Sequence, residues 1–241
     1  MSDLHTFKEA VEYRRAIRKF TQEGYDYSVT KKSLENALLA PSSSNMQLYQ
    51  FYRISNENLK KEIAYCCLNQ SAATTAVELI VLITRPDLWK QRAEFNLNCI
   101  VNYNPERKSL NGNSAINYYK KLMPFLYFND FFGLTGLFRK TIQFFHGMIK
   151  PTVREVSKSD IRVVLHKSAA LAAQTFMLSM ASEKQDTCPI EGFDSKRLKK
   201  LLNLNRRTEV CMVIACGKRA EGGIYNPRFR VEKEKMIVNF S

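Results

Sequence analysis

Two short runs of aliphatic and β-branched residues constrain the fold of this chain most. "ELIVLIT" covers residues 78–84, and "EVCMVIACG" covers residues 209–217. A continuous apolar run of this length predicts a strand that is buried on both faces of a sheet. "QLYQFYRIS" (47–55) alternates well enough to predict a third strand, and the tail "KMIVNF" (235–240) is a candidate for a further one. We therefore expect a sheet with covering layers on both sides.

Apolar residues at helical spacing predict helices around this sheet. The longest is residues 158–184, whose Ala and Ser positions permit close packing against another helix. The shorter predicted helices cover residues 5–15, 31–40, 56–67 and 195–202. "DTCPIEGFD" (186–194) carries proline and glycine and predicts a loop. No repeat, low-complexity tract or linker interrupts the pattern, so we expect residues 1–241 to form a single domain.

The segment from about 105 to 155 looks like an insertion in that domain. It contains "PFLYFNDFFGLTGLFRKTIQFFHGMIKP" (124–151), which is rich in phenylalanine. Arg139, Lys140 and His146 interrupt this run, so it does not predict a membrane span. Three interpretations remain open: a helical hairpin packed on the domain, a hydrophobic lid over a substrate cavity, or an interfacial anchor whose basic residues favour anionic lipid.

The charge balance favours an anionic partner. The chain has 37 Lys and Arg residues against 23 Asp and Glu residues, a net charge of +14. Nucleic acid, a phosphate-bearing cofactor and an acidic membrane surface all suit such a charge. The aromatic residues cluster in the apolar segment and do not alternate with basic residues as a base-stacking platform would, which argues against nucleic acid.

The cysteine pattern indicates neither a metal site nor a disulfide framework. The six cysteines contain no C-x-x-C pair, and no histidine lies at metal-ligand spacing from them. We expect free thiols in a reducing compartment, and the N-terminus has no apolar signal region, so the expected location is the cytoplasm. Whether the adjacent pair Cys66 and Cys67 is redox-active stays open at this stage.

Four short polar or basic segments are candidates for a binding site. In "RRAIRKF" (14–20), Arg14 and Arg18 lie on one side if the first helix continues, and clustered guanidinium groups favour a shared anion. "APSSSNMQ" (40–47) follows a predicted helix end and is either a simple loop or a surface that hydrogen-bonds a ligand. "NQSAATTAV" (69–77) precedes the first buried strand, and "CPIEGFD" (188–194) includes a glycine that lets a ligand approach the backbone.

Taken in order, these segments resemble the FMN-dependent nitroreductase family. "RRAIRKF" is similar to the family's N-terminal arginine signature, "PSSSNMQ" to its Pro-Ser loop, and "NQSAATTA" to its Asn-Gln segment. "PIEGFD" matches the form found in bacterial NAD(P)H nitroreductases, and "NPRFRVE" (226–232) resembles the closing element. The resemblance covers residues 7 to about 231. This chain departs from the family pattern at Ala16, Leu48, Tyr49, Val77 and Val231.

The resemblance implies an α+β fold, a three-layer sandwich with a central, mainly antiparallel sheet flanked by helices. It further implies an intertwined homodimer in which the long helix forms much of the interface and the tail 231–241 crosses to the partner. Each site would bind FMN non-covalently with residues from both chains. The implied cofactor-binding residues are Arg14, Arg15, Ala16, Arg18, Pro41, Ser42, Ser43, Asn45, Gln47, Asn69, Pro189, Ile190, Glu191, Gly192, Arg228 and Arg230.

Individual roles also follow from the resemblance. Arg14, Arg228 and Arg230 would hold the phosphate, and Arg18 would lie by the N1 and C2 carbonyl of the flavin. Asn69 would bind the pyrimidine edge, and the loop 41–47 would reach in from the partner chain. Glu191 and Gly192 would offer backbone N–H groups to N5 and O4, so no side chain would act as a catalytic residue and no metal is expected.

The activity implied is an NAD(P)H-dependent oxidoreductase that reduces nitroaromatics, quinones or similar flat electrophiles in a ping-pong cycle. The small-molecule acceptor and the choice between NADH and NADPH stay open. An alternative is a non-catalytic FMN-binding or redox-sensing protein, with contact to a membrane surface as a further option.

Overall fold

The computed structural model describes residues 7–103, 114–128 and 134–240. Within these ranges, five strands form an antiparallel sheet in the order β1-β5-β3-β2, and β4 also pairs with β5. The strands are β1 (Phe20–Thr21), β2 (Tyr49–Ile54), β3 (Glu78–Thr84), β4 (Asp186–Ile190) and β5 (Glu209–Arg219). The expected antiparallel sheet flanked by helices is confirmed.

Eleven α-helices are described around this sheet. They are α1 (Phe7–Tyr13), α2 (Tyr27–Ala37), α3 (Glu57–Cys66), α4 (Ser71–Thr74), α5 (Trp89–Tyr103), α6 (Ser114–Asn117), α7 (Met123–Tyr127), α8 (Leu134–Ile149), α9 (Lys158–Ser182), α10 (Ser195–Leu201) and α11 (Lys233–Met236). A π-helical turn, Tyr118–Leu122, joins α6 to α7, and 3-10 turns cover Ser43–Asn45 and Pro86–Leu88.

Strand β3 is buried along its whole length because helices cover both faces of the sheet. Leu79, Val81 and Ile83 point into a core shared with α3 and α10. Ile80 and Leu82 point to the opposite side, into a core shared with α2 and α9. The period of two in a strand sends successive side chains to opposite faces, so an apolar run in β3 feeds both cores.

Helix α9 packs closely on α2, as its small residues predict. Ala169, Ala172 and Ala173 are fully buried. Across the contact, Nδ2 of Asn36 donates to Oγ of Ser179 at 2.9 Å, and Oγ of Ser179 donates to Oγ of Ser33 at 3.0 Å. The helix begins with a capping box between Ser157 and Asp160.

Three local predictions are wrong. The segment 186–194 is not a loop throughout, because Asp186–Ile190 forms β4 and pairs with Val213–Gly217 of β5. Proline is tolerated there because β4 pairs with a named strand on one side only. The first helix ends at Tyr13, so Arg14 and Arg18 do not lie on one helical face. The tail 235–240 forms no strand within this chain: α11 ends at Met236, and residues 237–240 are exposed.

The phenylalanine-rich segment contains α7 and α8. Arg139 of α8 is only 2% exposed, and its guanidinium donates to the carbonyl oxygens of Phe125 and Phe128 at 2.8 and 2.6 Å and to that of Val156 at 2.9 Å. These bonds attach α8 to α7 and to the segment before α9. Among the helices in the described ranges, none is long and apolar enough to cross a membrane.

Candidate functional site

The segment after α1 runs along β4 and carries the first candidate residues. Ala16 forms a parallel bridge with Thr187, and the Ile17 N–H donates to the Thr187 carbonyl at 3.2 Å. The Arg18 N–H donates to the carbonyl of Gly223 at 2.7 Å. The backbone of residues 16–18 is therefore held between β4 and the chain that follows β5.

A buried ion pair anchors this end of α1 to the sheet. Asp186 is buried in β4, and Nη2 of Arg219 donates to its Oδ1 at 2.5 Å. The Arg219 guanidinium also lies 4.1 Å from the centre of the Tyr13 ring, which favours a cation–π contact. Tyr13 immediately precedes the arginine segment, so this contact positions the segment.

Arg18 contacts Cys188 of β4, and the positive charge of Arg14 also acts on this thiol, although no helix joins the two arginines. Nη1 of Arg18 donates to Sγ of Cys188 at 3.6 Å. Burial raises the pKa of the Cys188 thiol, and the positive charges of Arg18 and Arg14 oppose that rise. The two guanidinium groups thus share one neighbourhood through β4. Cys188 was not predicted as a site residue, although it lies directly before the "PIEGFD" motif.

The arginines of the C-terminal segment approach the same place. Burial lowers the pKa of Arg14, and the nearby charges of Arg228, Arg230 and Arg15 lower it further. Nη2 of Arg15 donates to the Asn226 carbonyl at 2.7 Å, which ties the C-terminal segment to this region. The structure therefore brings the three arginines predicted for the phosphate, Arg14, Arg228 and Arg230, close to one another, with Arg15 beside them.

Arg228 also closes the end of α1. Its Nη1 donates to the Val11 carbonyl at 3.2 Å, and its Nη2 donates to the carbonyls of Glu12 and Arg14 at 2.9 and 2.6 Å. A cation at the C-terminal end of a helix stabilises the exposed carbonyl groups there. Nη1 of Arg230 donates only to the adjacent Phe229 carbonyl, at 2.7 Å, and Arg230 is exposed.

This arginine cluster has no acidic counterpart in the part of the chain that the structure describes. No carboxylate of those residues lies within 4.0 Å of a guanidinium nitrogen of the five arginines Arg14, Arg15, Arg18, Arg228 and Arg230. Like charges held this close repel, so the arrangement suits a multiply charged anion such as a phosphate.

The loop after β4 presents exposed backbone at Glu191 and Gly192. Nε2 of Gln70 donates to the Gly192 carbonyl at 2.8 Å and to the Cys67 carbonyl at 3.1 Å, so it holds this loop against the end of α3. A Cβ on residue 192 would lie 3.2 Å from that nitrogen, which leaves little room for a side chain. Gln70 was not predicted as a site residue, although it follows Asn69 in the "NQSAATTAV" segment.

Asn69 has a left-handed backbone, with φ at 51°, and its N–H donates to the Ala64 carbonyl at 2.9 Å. Asn69 lines a pocket of about 200 Å³ together with Lys60, Lys61 and Thr74. In that pocket Nζ of Lys60 already donates to the carbonyls of Ala76 and Val77, at 3.2 and 2.8 Å.

The loop 41–47 lies against other elements than the arginine cluster. The Ser43 N–H donates to Oγ of Ser168 in α9 at 3.1 Å, and Asn96 of α5 donates to the Asn45 carbonyl at 2.8 Å. Tyr118 and Tyr119 bond Ser44 at 2.6 and 2.9 Å. Within the described ranges, no hydrogen bond links this loop to Arg14, Arg18 or Gly192.

The backbone of this loop is unusual. Ser44, Asn45 and Gln47 all have positive φ angles, of 53°, 49° and 46°. Inside the loop, the Gln47 N–H donates to Oγ of Ser42 at 3.1 Å. Non-glycine residues in this region are uncommon, and strained backbone of this kind concentrates at functional sites.

The departures from the family pattern have clear places in the fold. Leu48 and Tyr49 are buried, Leu48 with Met46 and Met123 and Tyr49 with the α9 core. The Val77 N–H donates to the Cys216 carbonyl at 2.9 Å, a bond that a proline at this position could not make.

The adjacent thiols Cys66 and Cys67 are buried. Burial raises the pKa of Cys66, and it raises the pKa of Cys67 to about 12. The thiolate is the reactive form, so these surroundings suppress reactivity.

Comparisons with known proteins agree with this arrangement. The family model described as "Nitroreductase family" matches residues 11–218. MhqN of Bacillus subtilis, whose name marks it as a candidate NAD(P)H nitroreductase, is 24% identical over 222 residues, with 88% of each chain covered. Protein DrgA of Synechocystis is 26% identical over 222 residues, covering 90% of this chain and 86% of its own.

Solved structures show the same fold. A nitroreductase family protein of Streptococcus pneumoniae has a TM-score of 0.67 at 21% identity, covering 98% of this chain and 100% of its own. A candidate nitroreductase of Exiguobacterium sibiricum, solved in complex with FMN, has a TM-score of 0.66 at 20% identity and 98% coverage of both chains. Together with the match over most of its length, these similarities establish that the chain belongs to the nitroreductase family.

Proposed function

We propose that this protein is an FMN-dependent NAD(P)H oxidoreductase that reduces nitroaromatics, quinones or similar flat electrophiles. The observation that carries the proposal is the arginine cluster: Nη2 of Arg228 donates to the Arg14 carbonyl at 2.6 Å, and Nη2 of Arg15 donates to the Asn226 carbonyl at 2.7 Å. Within the described residues, no carboxylate neutralises it, and a phosphate monoester supplies the missing negative charge.

The residues of the cluster fit the two ends of FMN. Arg14 and Arg230 would hold the phosphate, while Arg228 would both contribute charge and keep the end of α1 in place through its three carbonyl bonds. Ala16 removes one hydroxyl that the family often has there, and charge-assisted guanidinium contacts compensate for it. Arg18, held at Cys188, would lie towards the pyrimidine end of the flavin.

When bound, FMN would accept a hydride from a reduced nicotinamide and pass it to an electrophile in a ping-pong cycle. The protein's part is to bind and orient. A fixed cation at Arg18 would stabilise negative charge on the reduced ring system and so raise its reduction potential. The backbone N–H groups of Glu191 and Gly192 would donate hydrogen bonds to the flavin, and Gln70 would keep their loop in position.

We further propose that the site is completed in a homodimer. Within one chain, the loop 41–47 forms hydrogen bonds to α5, α9 and the π-helical turn. Among the described residues, it forms none to the arginine cluster. This is what we expect if its polar groups contact the flavin of the partner chain. The exposed apolar residues of the tail, including Phe229, Ile237 and Phe240, would be buried by the same association. All six cysteines are free, which suits a cytoplasmic location.

Anaerobic stopped-flow absorbance tests this proposal. The FMN-loaded protein is mixed separately with NADH and NADPH, and the oxidised flavin band is followed. We expect rapid bleaching with one or both, reversed when a quinone or nitroaromatic is added. If neither nucleotide bleaches a bound flavin, the protein is instead a non-catalytic or differently reduced FMN-binding protein. If no flavin binds, the cofactor assignment is wrong.

A further inference from the structure

Helix α8 is amphipathic, but its apolar side is exposed to solvent and its polar side faces the protein. At 100° per residue, eight apolar side chains lie within one arc of about 160°, and each is between 39% and 82% exposed. They are Leu134, Leu137, Phe138, Ile142, Phe144, Phe145, Met148 and Ile149, here called the apolar face. A helix of a water-soluble domain normally turns this face to the core.

The opposite side of α8 is polar and is the side that the protein holds. Arg139 is buried and donates to three carbonyl oxygens. Gly136 packs close to Ser157 and Lys158, with a Cβ there 3.7 Å from their backbone atoms. Nη2 of Arg154 donates to the Gly147 carbonyl at 3.0 Å. These contacts fix the rotation of α8 about its own axis. Because they hold the polar side against the protein, the apolar face is exposed to solvent.

Exposed basic residues lie near the apolar face. Residues 131–154 contain no acidic residue, and Lys140, Lys150 and Arg154 are exposed, whereas Arg139 is buried on the opposite side of the helix. A groove of about 570 Å³ beside α8 brings Phe144 and Phe145 together with Lys140 and Arg154. Nζ of Lys140 lies 3.9 Å from Oδ2 of Asp160. An exposed ion pair at this distance is weak, so Lys140 can still bind another anion.

We propose that the apolar face of α8 docks on an anionic lipid bilayer, with its phenylalanines in the interface and the flanking cations at the lipid phosphates. Apolar side chains bordered by cations on a short helix are the combination that binds the surface of such a bilayer without crossing it. A second copy of the chain is less complementary to this face in charge, because each copy carries a net charge of +14 whereas an anionic bilayer supplies the opposite charge. The inference does not depend on the proposed reaction.

Vesicle flotation of the full-length, FMN-loaded protein tests the proposal. Vesicles of phosphatidylcholine alone are compared with vesicles that also contain phosphatidylglycerol. We expect flotation with the anionic vesicles and at least tenfold less with the neutral ones. The double variant Phe138→Ser/Phe145→Ser should lose at least tenfold in bound fraction, and Lys140→Gln/Lys150→Gln should lose the preference for anionic vesicles.

Two controls keep the result interpretable. Leu39→Ser removes an apolar side chain just after α2 that is 84% exposed, more than Phe138 or Phe145, and the variant should float like the parent protein. Met148→Ser/Ile149→Ser repeats the test at the far end of α8, for use if circular dichroism shows that the first double variant is misfolded. A parent protein that stays out of both vesicle types overturns the proposal. So does equal flotation of the α8 variants, or a change in their sedimentation that shows the face to be a contact between copies.

Discussion

Arg53 donates from Nε to Oε1 of Glu78 at 2.7 Å, and the Glu78 side chain is fully buried. The hydroxyl of Tyr25 donates to Oε2 of the same carboxylate at 2.8 Å, and Nη2 of Arg53 also donates to the Tyr27 carbonyl at 2.9 Å. Through Arg53, Glu78 and Tyr27, this network connects β2, the first residue of β3 and the first residue of α2.

Removing Arg53 should destabilise the fold strongly. Arg53→Met leaves a buried carboxylate without its cation, which costs about 3–5 kcal/mol when both partners are buried and less here because Arg53 is partly exposed. The free energy of unfolding from urea denaturation, followed by circular dichroism, measures the effect. Arg53→Met/Glu78→Gln removes the stranded charge and should recover much of the loss. A single variant as stable as the parent would contradict this account of the network.

The arginine cluster should distinguish FMN from riboflavin. Arg230→Ala removes a guanidinium from the proposed phosphate position, so we expect FMN affinity to fall about 10- to 100-fold. Riboflavin affinity should stay within about twofold, because riboflavin has no phosphate. Fluorescence titration of the apoprotein measures both, with Arg206→Ala as an exposed cationic control outside the cluster. An equal loss for both flavins would refute the phosphate role.

Arg18 should set the reduction potential of bound flavin. Arg18→Gln removes the fixed positive charge that we place near the pyrimidine end, so the midpoint potential should fall by about 30 mV or more, whereas Arg18→Lys should stay closer to the parent. Spectroelectrochemistry of the FMN-loaded proteins gives the potentials. An unchanged value in Arg18→Gln would remove Arg18 from this role.

Glu209 should stabilise the protein in a pH-dependent way. Burial of this carboxylate opposes ionisation, but hydrogen bonds from His166 at 2.9 Å and Arg162 at 2.6 Å outweigh it and hold its pKa below the ordinary value of 4.5. A depressed folded pKa adds stability above the unfolded pKa, and that stability is lost as pH falls through the folded pKa. The deficit of Glu209→Gln should therefore be largest above about pH 5 and shrink towards pH 3. Urea denaturation across this range measures it, and a deficit that grows in acid would reverse the sign we assign.

The cysteines should react in order of exposure. Cys99 is exposed, while Cys66 and Cys67 are buried with raised pKa values. Iodoacetamide at pH 8 should modify Cys99 in the native protein and the adjacent pair only after unfolding, as measured by peptide mass spectrometry. Rapid native modification of Cys66 or Cys67 would reopen a redox role for the pair.

The elements that were predictable from the sequence are those whose own residues determine them. Residues 78–84 were predicted as a strand and form β3 with the same bounds, because an apolar β-branched run has few other stable arrangements in a globular protein. The long helix was predicted to within two residues of its end at Ser182.

The sequence predictions fail where contacts between residues far apart in the chain determine the structure. Pro189 favours a loop locally, yet pairing with β5 recruits residues 186–190 into the sheet. Arg14 and Arg18 both act on Cys188 of β4, Arg18 through a hydrogen bond and Arg14 through its charge, and no helical turn joins them. Gln70 contacts Gly192, and Arg18 contacts Cys188, across more than a hundred residues, so the motifs that contain these residues do not by themselves reveal the contacts.

The reversed helix α8 also inverts the usual rule for which substitutions a helix tolerates. Replacing Phe138 or Met148 with a polar residue should leave the fold intact, while replacing the buried cation Arg139 with leucine, a change that looks favourable for a core position, should strand three carbonyl groups. A survey of sequence variation that scores hydrophobicity alone would therefore mistake the anchor of this segment for its surface.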